Sequence, residues 1–395
     1  MSNVNIKRAI ENIRSGTSVY TPVVEVVVNA IQAIESAKDT ASGLVEIIVK
    51  REKQMDLGGT VPEVDGFEVV DNGIGFTDLN RDSFDTLYSA HKISEGGKGF
   101  GRFTCLKYFE SLEVDSTFEK GGKLFDRCFE MGKENEIIIN ESIAESKKYS
   151  TGSKIKLIKL KRTKFPDKKL KTMARVLVEK LLPYFVSEDR IPPTIVLREE
   201  DESEVVVLNE YVKTQGQIQE IKSASSEYFL DGVDEQKRFV GRVFKFYSPR
   251  SQTSKVSLVA HRREVTSVSL HKYIPEFIEE FFDRESNGKE IHDKNFIIKV
   301  YVFGDYLDDN VSLERGGFEF QKENDALYGV SQVEIERSAA ELARVAVDSE
   351  VQARYEKKTR KVNEYVREKA PWHTGMLADV DLTDMPYNAT DEQIE

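Results

Sequence analysis

TPVVEVVVNAIQAIES, residues 21–36, is the stretch on which the reading of the fold turns. Its apolar positions follow a helical period, and Thr21 and Pro22 suit the N-cap and the first helical position. Glu25, Asn29 and Gln32 then fall at i, i+4 and i+7, on one polar stripe of a strongly apolar helix. Buried carboxylates and carboxamides cost on the order of several kcal/mol unless paired, so a stripe of this kind needs partners. Taken alone, the segment fits a core helix with a satisfied amide, or a valine-rich strand, as readily as a site.

Outward from this helix the pattern alternates. Residues 5–14 read as a short helix, 44–51 and 66–71 as strands, and GRFTCLKYFE from Gly101 as a helix start. Strands are expected near 111–116, 123–130, 135–140, 153–160 and 192–199, with a helix over 167–186. The acidic stretch 199–204 (EEDESE) reads as a domain boundary. Strands follow at 205–208, 239–247, 255–260 and 296–303, with a helix near 272–283. From about 324 the chain turns helical and charged. Leu342, Val345, Tyr355, Val362, Tyr365 and Val366 are spaced as one long amphipathic helix requires, and the last 20 residues read as extended.

Composition narrows the class. With 395 residues, and roughly 150 per domain, two or three domains are expected. Apolar residues at 39%, with 22 Phe and 15 Tyr, supply real cores and exclude a wholly disordered chain. No stretch reaches the roughly 18 apolar residues of a membrane span, and the polar start MSNVNIKRAIENIRSG is no signal peptide. A cytoplasmic protein with no membrane partner is expected. The 2 cysteines form neither a disulfide framework nor a zinc cluster, and the 5 histidines never pair at metal-ligand spacing. A net charge of -12 argues against wholesale nucleic-acid coating but leaves room for a local basic track, such as 161–171 or 357–361.

Three further segments carry chemistry. FEVVDNGIGF, residues 67–76, is a strand running into Asp71, Gly73 and Gly75; an ionised Asp accepts from an exocyclic amine, and the glycines let a ligand approach the backbone. An ordinary Asn-Gly turn would look the same. SAHKISEGGKGFGRFTCLKYF, residues 89–109, sets Gly96, Gly97, Gly99 and Gly101 ahead of a helix, among Lys92, Lys98, Phe100 and Arg102. Its backbone N–H groups and cations suit phosphate, although neither a Walker A loop nor a dinucleotide fingerprint is present. A flexible surface loop is the plain alternative. TGSKIKL, 151–157, is a small-residue turn leading into a strand and says little by itself.

In this order and spacing, the four segments resemble the signature of the GHKL ATPase superfamily, which includes the ninety-kilodalton heat-shock chaperones, gyrase B, MutL, MORC proteins and sensor histidine kinases. The E-x-x-x-N-A box matches Glu25, Asn29 and Ala30; D-x-G-x-G matches Asp71, Gly73 and Gly75; the glycine lid end matches Gly96, Gly99 and Gly101; the last box matches Gly152 and Ser153. Gln32 departs from MutL-like proteins, which usually carry Asp there. The resemblance implies an α+β chain: a Bergerat-fold α/β sandwich over 1–205, a transducer-like α/β domain (ribosomal-protein-like fold) over 206–325, and a helical extension over 326–395 that could continue in a longer chain. It implies ATP and Mg²⁺ as cofactors. Asn29 would be the metal ligand, Asp71 would take the adenine amine, and Gly73, Gly75, Lys92, Gly96, Gly97, Lys98, Gly99, Phe100, Gly101, Arg102 and Ser153 would line the nucleotide. Glu25 would be the catalytic base. Only 24 residues without a His precede Glu25, so a hydrolase fits better than a histidine kinase.

A fifth match, LDDNVSLERGGFEF at 307–320, resembles the MutL-type transducer loop N-V-x-x-x-K-x-x-x-x-F through Asn310, Val311 and Phe320, with Arg315 in the lysine's place as a second catalytic group. SLVAHRREV, 257–265, resembles the transducer strand that carries an arginine, here Arg262 or Arg263. Modules of this kind imply a slow ATPase that homodimerises on ATP binding, with segment 1–20 reaching onto the partner. DNA or protein would be the client, and by analogy a bacterial DNA-related or phage-defence process the setting. A chaperone-like clamp or a nucleotide-sensing scaffold with negligible turnover is the alternative.

Overall fold

The computed structural model describes residues 6–11, 17–37, 42–53, 61–86, 101–161, 164–187, 190–214, 216–250, 252–286, 291–312, 317–322, 329–379 and 381–395. The chain divides into two compact units, Met1–Thr214 and Gln215–Glu395. The first contains α1 (Ile6–Glu11), α2 (Tyr20–Glu35), β1 (Leu44–Arg51), β2 (Val64–Asp71), α3 (Asp78–Asp85), α4 (Gly101–Tyr108), β3 (Phe109–Lys120), β4 (Lys123–Met131), β5 (Ile138–Glu145), β6 (Gly152–Leu160), α5 (Leu170–Val186), β7 (Thr194–Glu199), β8 (Val205–Val207) and α6 (Leu208–Thr214).

Its sheet runs β5-β4-β3-β6-β2-β1-β7-β8. Neighbours are antiparallel except for the parallel pair β1 and β7. Period-two alternation gives the sheet two unlike faces. On one, the register lines up Val49, Phe67, Leu157 and Leu112 in a row, then Ile47, Val69, Ile155 and Val114, all at most 7% exposed. α2 packs against β1, β2 and β6, and α4 and α5 flank it. The other face carries charge, with Lys154–Glu68 at 3.1 Å and Lys156–Asp115 at 3.0 Å. Hence helices cover one side and ion pairs meet water on the other.

The acidic stretch 199–204 is a hairpin turn, not a boundary. Glu199 N–H donates to Glu204 O at 3.0 Å, and β8 returns along β7. α6 then packs on α5 and β7, so the first unit runs past residue 205 to Thr214. A charged hairpin tip and a linker share a composition, and only strand pairing separates them.

The second unit holds β9 (Ile218–Glu220), β10 (Ser226–Asp231), β11 (Gln236–Tyr247), β12 (Lys255–Ala260), β13 (Arg263–Ser269), β14 (Phe281–Ser286), β15 (Ile291–Phe303), α7 (Asp305–Asp309), α8 (Gln332–Ala346), α9 (Asp348–Lys369) and α10 (Asp391–Ile394). The sheet runs β10-β11-β15-β12-β13, with β14 on β15 and β9 on β11. Its core joins Phe239, Val243, Leu258, Ile298 and Val300 to Ile335, Ala339, Ala340 and Ala343 of α8. Gly241 permits that approach, since a Cβ there would stand 2.2 Å from Leu342 Cδ1.

Four expectations are corrected here. The helix near 272–283 is two single 3₁₀ turns, 270–272 and 275–278, followed by β14; Pro275 removes a backbone donor, and Phe281 pairs with Phe296. The long C-terminal helix is two helices broken at Val347 (φ -137°, ψ 39°), and Val345 and Tyr355 are exposed. α8 belongs to the second unit's core, so it is no separate extension. Within the last 20 residues, 381–395 form turns and α10, packed on α9 through Leu382 and Met385.

Candidate functional site

The two apolar rows on the helix-covered face end in a third row of different chemistry. One step along the register stand Val45, Asp71, Ser153 and Ser116, all buried, Asp71 and Ser153 at 6% and Ser116 at 2% exposed. A buried polar row costs free energy unless its groups are bonded, and these are. Ser116 Oγ accepts Phe76 N–H at 2.8 Å, donates to Gly152 O at 3.1 Å, and lies 3.1 Å from Ser153 Oγ. Asp71 Oδ1 accepts Gly73 N–H at 2.9 Å.

The loop after Asp71 is wedged between α2 and β3, which explains its glycines. A Cβ on Gly73 would lie 2.6 Å from the carbonyl carbon of Ala33 in α2, and Ile74 N–H donates to Ala33 O at 3.2 Å. Gly75 has φ +73°, and a Cβ there would meet Thr117 O at 2.2 Å. Asn72 faces elsewhere and closes the turn before β1, accepting Leu44 N–H and donating to Ser42 O, each at 2.8 Å. Arg127, itself buried, donates to Phe76 O and Asp78 Oδ1, both at 2.6 Å, and so fixes the far end of the loop. Lys120 and Arg127 hold the Asp78 carboxyl below the usual carboxylate range.

Ala33 also locates the α2 stripe. Asn29 lies one turn before it and Glu25 two turns before it, on the same helix face. That face is not uniformly buried as the sequence pattern implied: Gln32 is buried, Glu25 half-buried and Asn29 exposed. Glu25 stands close enough to Cys105 of α4 to help raise its thiol, which burial already pushes well above the ordinary range. α4 begins at Gly101 and packs along α2. The site thus gathers a buried carboxylate, two hydroxyls, and a helix stripe with one half-buried carboxylate and one open carboxamide.

Arg102 takes a structural position. It is 7% exposed, donates to Ser83 O at 3.1 Å and Thr86 O at 3.0 Å at the end of α3, and stacks over Phe84 and Phe103. Burial lowers its pKa to about 10. The backbone holds its guanidinium, which leaves the phosphate role assigned to it without geometric support. Lys92, Gly96, Gly97, Lys98, Gly99, Phe100 and Arg315 lie outside the described residues. Asn310, Val311 and Phe320 build the base of their loop: Asn310 Nδ2 donates to Tyr306 O at 2.9 Å, Val311 bridges Phe318, and Phe320 stacks on Tyr306. Arg262 and His261 form the tight β12–β13 turn with φ +59° and +48°, and His261 N–H donates to Asp308 Oδ1 at 2.6 Å. In this chain Ile6 of α1 is fully buried, its N–H on Glu134 O at 3.0 Å, and α1 packs on α4.

No protein-family model matches the chain, and no curated protein matches it. Solved structures do resemble it. The N-terminal domain of a DNA repair protein is 11% identical with a TM-score of 0.44, over 88% of this chain and 98% of that one. The ATPase region of Saccharomyces cerevisiae topoisomerase II is 11% identical with a TM-score of 0.38, over 72% and 73%. The same region bound to ICRF-187 (dexrazoxane) gives 11% and 0.39 over the same shares. At these identities and scores the likeness carries none of the argument, which rests on the site's own geometry.

Two contributors escaped the sequence reading. Ser116 lies mid-strand with no neighbouring signal, and only the β3–β6 register brings it to Ser153. Arg127 could have been noticed as a cation on the alternating positions it shares with Phe125, Phe129 and Met131 in β4.

Proposed function

We propose that the first unit binds ATP with Mg²⁺ and hydrolyses it slowly, in the manner of the GHKL superfamily its motifs resemble. The observation that carries this reading is the polar row Asp71–Ser153–Ser116 ending an apolar sheet face beneath the Glu25–Asn29 stripe of α2. Asp71 is the acceptor for the adenine amine, with Ser153 beside it, while Gly73 and Gly75 keep the floor of the site close to α2 and β3. Glu25, half-buried, would take a proton from an attacking water.

The cation fits a modest donor set. Among the described residues no group of three or more His, Cys, Asp or Glu could hold a metal alone. Mg²⁺ commonly keeps several waters and binds through one or two protein oxygens plus phosphate. Asn29, an exposed oxygen donor, suits that role, and the bound ion would neutralise phosphate charge. On the same reading two copies associate when ATP binds, with DNA or protein as the client. Among the described residues no helix is long and apolar enough to cross a membrane.

The test is phosphate release from ATP by the purified chain, with Mg²⁺ and then with EDTA, beside light scattering with and without a non-hydrolysable analogue. Mg²⁺-dependent release and a doubled mass with the analogue are expected. No release under either condition, with no nucleotide bound, would overturn the reading.

A further inference from the structure

The loop that follows Asp71 is held at both ends. Near Asp71 it is tied to α2, where Ile74 N–H donates to Ala33 O at 3.2 Å. Its far end is tied to the sheet through Phe76. The N–H of Phe76 donates to Ser116 Oγ of β3 at 2.8 Å, and its carbonyl oxygen accepts from Arg127 Nη1 of β4 at 2.6 Å. Its ring meets those of Phe84 and Phe129 at centroid distances of 5.8 and 5.3 Å. Both main-chain polar atoms of one loop residue therefore go to side chains of two neighbouring strands. Loop backbone on a protein surface commonly leaves such groups to water.

Arg127 has a second arm. Its Nη2 donates to Asp78 Oδ1 at 2.6 Å, Glu141 of β5 lies 3.2 Å from its Nε, and its guanidinium sits over the Phe118 ring at 4.5 Å. One planar fork thus fixes the last turn of the loop and the first residue of α3 together, a geometry that a lysine cannot reproduce. α3 has no fully buried residue and takes its place through such contacts, with Arg81 on Glu141 at 2.9 Å. Ser116 and Arg127 are themselves buried, each at 2% exposed, where bonds to charged groups are strong and geometry is tightly kept.

We propose that Arg127 and Ser116 are positioning residues for base selection: by clamping Phe76 they set where the Asp71 carboxylate stands, and so how well the site tells an amino purine from a keto purine. The inference rests on the reading that Asp71 accepts the adenine amine. Neither residue needs to touch the nucleotide. Ser116 spends its hydroxyl on Phe76, Gly152 and Ser153, and Arg127 spends its fork on Phe76 and Asp78. Released from the clamp, the loop keeps its tie to α2 and the Asp71–Gly73 bond, so the fold can survive while the carboxylate drifts from its place. A small misplacement of a recognition group is costly to binding. The residues beneath the triphosphate are not touched by the change.

The test is titration calorimetry of the full chain with Mg²⁺ and either ATP or inosine triphosphate, which share the triphosphate and differ at the exocyclic group. Arg127→Met should lose on the order of tenfold in ATP affinity and less than about threefold for inosine triphosphate, so the preference for ATP shrinks. Ser116→Ala should shift the ratio in the same direction, and Arg127→Lys, which keeps the charge and loses the fork, should fall between Arg127→Met and native. Should Arg127→Met fold poorly by circular dichroism, Asp78→Asn changes an exposed residue, keeps both Phe76 bonds, and should show a smaller shift of the same sign. A merely structural role would weaken both nucleotides alike. Equal losses for the two, or a ratio unchanged in every variant while the native protein prefers ATP, would overturn this inference alone. A native protein that does not prefer ATP would overturn the adenine reading, and this inference with it.

Discussion

Asp71→Asn separates the proposed recognition role from a structural one. In the native protein Asp71 Oδ1 accepts Gly73 N–H at 2.9 Å. A carboxamide oxygen keeps that acceptor, so the loop should hold and stability should change by less than about 1 kcal/mol. What is lost is a charged acceptor for an amine. Hydrogen bonds to charged groups contribute about 1.5–3 kcal/mol, or roughly 10- to 150-fold in affinity at 1.4 kcal/mol per decade. The base itself sharpens the test: ATP presents an exocyclic amine where inosine triphosphate presents a keto oxygen. The native carboxylate should prefer ATP, whereas the variant's amide N–H can donate to the keto group and should shrink or reverse that preference. Titration calorimetry with both nucleotides, alongside thermal melts, reads all three quantities. Equal native affinity for the two nucleotides, or a ratio unchanged in the variant, would refute the role given to Asp71.

Gly73→Ala should cost about 1–3 kcal/mol, because its Cβ would fall 2.6 Å from the α2 backbone at Ala33; Gly375→Ala, with nothing within 4 Å, is the neutral comparison by thermal melting. Ser116→Ala leaves the Phe76 N–H without its 2.8 Å acceptor and should cost about 1–3 kcal/mol, with weaker nucleotide binding and an otherwise native circular dichroism spectrum. Cys105, buried and with its thiol pushed up, should resist a thiol reagent at pH 8 until the protein unfolds, while the half-buried Cys128 labels first; mass spectrometry of the labelled peptides decides this.

Much of the first unit was legible because its signals are local. LVEIIVKR alternates, and the structure makes it β1; the valine-rich 21–36 places polar groups at helical spacing, and α2 covers Tyr20–Glu35. Asp71 and Ser153 draw notice only through their joint order along the chain, while the contacts that hold them depend on strand register, which no short window contains. For the same reason Ser116 and Arg127 went unseen. A cation beside a glycine-rich run, such as Arg102, looks the same in sequence whether it faces phosphate or, as its contacts with Ser83 O and Thr86 O have it, caps α3. The basic runs make local pairs: Lys164 and Lys168 with Glu63, and Lys361 and Lys369 with Ala389 O and Asp391. In the second unit the helix expected at 272–283 failed because FIEEFF satisfies helical and strand patterns alike, and pairing with β15 decided between them.

The most direct test of the central claim is to measure ATP binding and ATP hydrolysis on the same preparation of Glu25→Ala. If Glu25 activates water while Asp71 and Asn29 hold the nucleotide, the variant should bind ATP within about threefold of native and lose about 10²–10⁴-fold in turnover. Turnover at the native rate, or binding and turnover lost together in equal measure, would contradict that division of labour.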